Sequence, residues 1–178
     1  SISLSSKRII SAGKDYSLKK KLLQANLRSN SDLWSIEQSE SYLEWRLKLN
    51  PFSNDYVQFT NDNNIDSINS AVLVNYRKEG FAYIEELNFS NAASIKSCLS
   101  LIKEMIRYSK THSKVFLFRF WGFEGNQTTR TELSLLKKVG FVFVRKGTAF
   151  VWKDLKENNN SIKPENILLS RLFTQGNR

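Results

Sequence analysis

The sequence predicts a single α/β or α+β domain, a mixed and mostly antiparallel central sheet flanked by about four helices. Three observations carry that prediction. Residues 55–87 show strand patterning broken by turn chemistry: "DYVQFT" alternates, "SAVLVNYR" is a continuous apolar run, and "FAYIEEL" returns after "KEG". A long helical pattern over about 91–110 then leads into a second apolar strand, "KVFLFRFWG". Such a crossover places "FAYIEEL" and "KVFLFRF" in parallel, whereas the preceding strands form an antiparallel meander.

The elements follow in order. Residues 1–13 read as an N-terminal arm or a short first strand around Arg8–Ser11, and 14–156 as the main domain. "DYSLKKKLLQANL" places Leu18 and Leu22 on one stripe and reads as a first helix. "SIEQSESYLEWRLKLNP" reads as a second. Ser35 and Gln38 suggest a capping box, Ser39 offers a second start, and Asn50-Pro51 ends the helix. Tyr42, Trp45 and Leu49 share its apolar stripe, so Trp45 is expected in the core. After the meander and the long helix, "KVFLFRFWG" is expected to be a buried strand. "QTTRTELSLLKKVGF" reads as a helix closed by Lys137, Lys138 and Gly140. "FVFVRKGTAFVWK" reads as a final hairpin turning at Lys146-Gly147, and 157–178 as a basic tail.

The composition narrows the functional classes. The chain has 178 residues, 40% hydrophobic and 25% charged, which suits a globular domain with its own core. No apolar run reaches bilayer length and no leader is visible, so a cytoplasmic protein is expected. One cysteine, Cys98, excludes an internal disulfide and argues against a cysteine-based zinc site; its place on the apolar face of the long helix makes it a core thiol. One histidine, His112, has no acid cluster or second histidine beside it, and no metal site is expected. The net charge is +10, concentrated at the ends: seven Lys/Arg against Asp15 in 1–28, and nine against Asp154, Glu157 and Glu165 in 137–178. Such a field suits an anionic partner, whether CoA, a nucleotide-sugar, RNA or an acidic membrane, and equally a plain solvated surface.

Two segments carry a family resemblance. "LLKKVGFVFV" (135–144) is similar to the Lys-x-Gly-Phe step before the last hairpin of the GCN5-related N-acetyltransferase (GNAT) fold. "SYLEWRLKLNPFSNDYVQF" (41–59) resembles the Trp-Arg-x4-Pro-x4-Tyr signature of a GNAT-like subgroup found in polysaccharide and cell-envelope biosynthesis, here on Trp45, Arg46, Pro51 and Tyr56. The element order agrees over nearly the whole chain. The resemblance implies a bacterial acyltransferase moving an acyl group from acetyl-CoA or another acyl-CoA to an amine or hydroxyl, such as that of a sugar. Domains of this kind are often joined to another one, so a further domain ahead of Ser1 is expected if this one only binds substrate or serves as a scaffold. Some related envelope transferases take an aminoacyl-tRNA donor, which keeps an RNA-binding reading open.

The resemblance also implies site residues. The family's pyrophosphate loop falls on Asn88, Phe89, Ser90, Asn91, Ala92, Ala93 and Ser94, at a strand-to-helix junction where free N–H groups face outward. The family's glycines are missing here; Ser90 offers a cap, and two alanines allow a fairly close approach. The family's catalytic Glu falls on Glu85 or Glu86. Strand alternation puts these on opposite faces, and the competing account for each is a salt bridge to Arg119 or Arg46. The family's tyrosine acid has no counterpart between Trp121 and Phe141, whereas Asn126, Thr128, Thr129 and Arg130 at a helix start suit an anion. Trp45, Arg46, Tyr56, Arg119 and Trp121 are the residues expected to meet substrate. The bland alternatives are core packing for the tryptophans and pairing of Arg46 with Asp55, Glu85 or Glu86.

Overall fold

The structure is a computed structural model; it describes residues 10–11, 34–35, 39–49, 51, 55–62, 67–77, 79–89, 94–112, 114–122, 125, 127–144 and 167–168. These form an α+β fold on a mixed sheet. The strands are β1 (Ile10–Ser11), β2 (Trp34–Ser35), β3 (Tyr56–Thr60), β4 (Ser70–Tyr76), β5 (Phe81–Phe89), β6 (Leu117–Phe120) and β7 (Ile167–Leu168). The helices are α1 (Glu40–Glu44), which runs into a π turn at Trp45–Leu49, α2 (Ser94–His112) and α3 (Gln127–Lys138).

The main sheet runs β1-β3-β4-β5-β6. β1, β3, β4 and β5 pair antiparallel in turn, and β5 pairs parallel with β6 through the α2 crossover, as the meander and crossover patterns predict. Local chemistry sets the connections. The Asn61 side-chain oxygen accepts from the backbone N–H groups of Asn69 and Ser70, both at 3.0 Å, and pins the link between β3 and β4. Gly80 closes the β4–β5 turn at φ +87°, a conformation that a side chain would strain. Gly140 at φ +96° ends α3 in a Schellman motif: the Phe141 N–H reaches the Leu136 carbonyl and the Gly140 N–H the Lys137 carbonyl, each at 3.1 Å.

The core lies between one face of the sheet and α2. Phe59, Val72, Val74, Ala82, Ile84 and Leu87 meet Cys98, Leu101, Ile102 and Met105, all at most 1% exposed. Cys98 is a buried core thiol, as expected. Tyr108 of α2 packs edge-on against Phe59, with ring centres 5.5 Å apart. Ser109 donates to the Met105 carbonyl at 2.7 Å and accepts from the Tyr76 hydroxyl at 2.9 Å, tying β4 to the same helix.

Several expectations are corrected. Ser39, not Ser35, caps α1, its hydroxyl accepting from the Tyr42 N–H at 3.3 Å; Ser35 belongs to β2. Trp45 is 48% exposed and Leu49 64%, while Arg46 and Leu47 are buried, because the π turn rotates the stripe that a regular helix would keep. The "KVFLFRFWG" strand, last in the sheet among the described residues, is not a buried strand: Phe118 and Phe120 pack on the core, but Phe116 is 78% exposed. His112 is the last residue of α2, not a loop residue. The 157–178 segment is not simply a tail, since β7 pairs parallel with β2, joining Trp34 to Ile167 and Ser35 to Leu168. The expected first helix and the hairpin turn at Lys146-Gly147 lie outside the described residues.

Candidate functional site

The sheet face opposite α2 is polar where the π turn after α1 meets it. Strand alternation sends Tyr56, Gln58 and Thr60 of β3 to this face, together with Ala71, Leu73 and Asn75 of β4. On β5 the register slips: Ile84 pairs with Val74 and Glu86 with Leu73, leaving Glu85 as the extra residue of a β-bulge. The core positions of β5 accordingly change parity, from Ala82 and Ile84 to Leu87. Both glutamates therefore leave the core face together. Strict alternation would have put them on opposite faces; the bulge overturns that expectation.

The result is a buried polar cluster. Glu85 is 0% exposed, Glu86 4%, Asn75 0%, Gln58 1%, Tyr56 0% and Arg46 3%. Asn75 donates its amide to Glu85 at 3.3 Å, and Asn88 donates to Glu86 at 3.2 Å. Arg46 arrives from the π turn with its guanidinium carbon 5.9 Å from the centre of the Tyr56 ring. The Nε and Nη2 atoms of Arg46 are buried without a hydrogen-bond partner, as are the Gln58 carbonyl oxygen and the Asn75 carbonyl oxygen. Two carboxylates and one guanidinium removed from water are costly unless they are compensated or put to use. The ion pairs expected for these groups are not made: among the described residues no salt bridge joins Arg46 to Asp55, Glu85 or Glu86, or Arg119 to either glutamate.

Burial, and then the negative charge of Glu85, pushes the Tyr56 phenol up to about 12, with Arg46 opposing. Tyr42 is also raised, first by burial and then by both glutamates, against the pull of Arg46. The Tyr56 hydroxyl sits near the Asn75 amide without a well-formed hydrogen bond. Its stability contribution is complete below pH 10, the unfolded value, and is lost as pH rises toward about 12. The expected loss across that interval is about 2–3 kcal/mol for Tyr56. Urea unfolding of wild type and Tyr56→Phe at pH values on either side of the interval checks it: the wild type should lose stability faster than the variant. Parallel curves would show that Tyr56 titrates alike in both states.

The predicted site residues thus divide. Arg46, Tyr56, Glu85, Glu86 and Asn88 come together in the cluster. Phe89 instead packs on the α2 side, and Ser94 is the buried first residue of α2. Asn88 and Phe89 are the last residues of β5, not loop residues. Ser90, Asn91, Ala92, Ala93 and Asn126 lie outside the described residues. Trp45 is exposed and leans on Tyr42, ring centres 6.2 Å apart. Trp121, just past β6, is half-buried. Arg119 sits apart on the exposed end of the face, 4.7 Å over the Phe81 ring, and donates to the Tyr83 hydroxyl at 3.4 Å. At the start of α3, Thr129 is buried and Arg130 exposed.

Gln58, Asn75 and Tyr42 join the cluster without having been singled out from the sequence. For Gln58 and Asn75 the signal was a lone amide at the off-core parity of each apolar strand, "YVQFT" and "SAVLVNY". Among the described residues no group of three or more metal-ligating side chains occurs. No helix there is long and apolar enough to cross a membrane. No family model matches the chain, and no curated protein matches it either.

Proposed function

We propose that the chain is a GNAT-like acyltransferase that moves an acyl group from acyl-CoA to an amine or hydroxyl of a sugar or other cell-envelope precursor. One observation carries the reading. The parallel β5–β6 ladder ends at Ile84–Phe120, β5 runs on through the Glu85 bulge to Phe89, and α2 follows. That is a place where an extended thioester arm can lie along β5 and a pyrophosphate can meet the start of a helix. Acyl-CoA supplies the activated acyl group as a thioester. The chain's own part is to orient the acceptor and take its proton. Glu85, re-aimed by the bulge and held by the Asn75 amide, is the proposed base. Arg46 and the protonated Tyr56 phenol supply donors beside it.

A second reading has its own support. The 86–98 junction has no glycine, and both glutamates are closed off from solvent. A non-catalytic substrate-binding or scaffold domain of a larger enzyme would have both features. Isothermal titration with acetyl-CoA and with free CoA separates the two. Micromolar binding of both is expected for the acyltransferase. No heat from the folded protein would leave the scaffold reading.

A further inference from the structure

Lys96, Lys103, Arg107 and Lys110 are all exposed on α2. At 100° per residue they fall within about 60° of one another, a straight row about 21 Å long at 1.5 Å per residue. Lys138, near the end of α3, faces the row across a groove of about 280 Å³ lined by Lys103, Ile106, Arg107, Lys138 and Val139. The acid of α2, Glu104, is held by Arg107 at 2.8 Å, and the Arg107 side chain remains 73% exposed. The sequence pattern had placed the positive field at the chain ends; folding collects this second one on the middle helix.

We infer that this groove is a binding site for a single strand of nucleic acid, held by its phosphodiester backbone. Four cations in line with a fifth on the opposite bank match a linear polyanion, and Ile106 and Val139 give the floor an apolar surface for sugars. No large exposed apolar side chain lies on α2 or α3 among the described residues, so the two helices themselves carry no wedge of the kind an interfacial membrane helix would use. The contacts are to phosphates, so RNA and DNA of equal length bind alike. The site lies across the sheet from the Glu85 cluster and does not depend on the acyltransferase reading.

Fluorescence anisotropy with 20-nucleotide single-stranded RNA and DNA tests the inference. Five neutralised phosphates give a log–log salt slope of roughly −3 to −4, a loss of roughly 60- to 260-fold between 50 and 200 mM salt. The triple variant Lys103→Ala, Arg107→Ala, Lys138→Ala should reduce the slope by about 2. A charge-matched control, Lys19→Ala, Lys20→Ala, Lys21→Ala, should keep most of the affinity. Circular dichroism confirms that each variant is folded. Equal losses in both variants would mean diffuse charge and overturn the site, as would wild-type binding that is absent or flat with salt. Capture by phosphatidylserine vesicles without nucleic-acid binding would assign the face to a membrane instead.

Discussion

Arg46→Ala should lower the unfolding free energy by about 2–5 kcal/mol, the usual cost of truncating a large buried side chain to alanine. The guanidinium is 3% exposed, and the side chain it crosses, Tyr56, is 0% exposed. Truncation removes a large buried side chain that lies over the Tyr56 ring and leaves a void there. Arg46→Lys keeps the charge but loses the planar fork, and its deficit should be smaller. Urea unfolding followed by tryptophan fluorescence provides the measurement. A loss below about 1 kcal/mol for Arg46→Ala would show that burying the guanidinium costs nearly as much as its packing contributes. The same variant bears on the family signature, because it separates a structural reason for the Arg at that position from a ligand-binding one. A stable Arg46→Ala protein that no longer binds substrate would favour the latter.

Glu85→Gln should reduce acyl transfer by at least about 10²-fold, the lower end of the range for a general base. The substitution is isosteric, and Asn75 still meets an amide oxygen at the same position, so the fold should hold. Glu86→Gln should have a much smaller effect, since Glu86 keeps its register with Leu73 and accepts from Asn88 rather than from Asn75. Free thiol released from acetyl-CoA over a panel of amines and amino-sugars provides the assay. The loss belongs in kcat, with KM little changed, because a base acts in the transition state. Rates within twofold of wild type for Glu85→Gln would remove it from the mechanism. Equal losses for both variants would make the pair, not one residue, the working unit.

Much of this fold was legible because its signals are local. The antiparallel meander follows from alternation broken by "KEG", and the end of α3 from Lys137, Lys138 and Gly140. Arg46, Tyr56 and the two glutamates could be picked out in advance because a charged or phenolic side chain within an apolar pattern stands out. Their company could not. Gln58 and Asn75 look unremarkable one strand at a time, and only the β3–β4–β5 register brings Asn75 to Glu85 and puts Gln58 in line with Glu86, with Leu73 between them.

The misplaced residues share a cause. Trp45 was assigned to the core by a 3.6-residue period that the π turn interrupts, and Glu85 and Glu86 were split by a period of two that the bulge interrupts. The sequence by itself determined the β3–β4–β5 meander, the crossover through α2 to a parallel β6, and the end of α3, but not the parallel β2–β7 pair. Tertiary structure alone decided which face each glutamate takes, that Arg46 is buried rather than Trp45, and that Lys138 of α3 faces the cations of α2 across one groove. The reason is physical: a period is written into neighbouring residues, whereas an extra residue in a strand or a turn of π helix is held only by the pairing and packing of segments far apart in the chain.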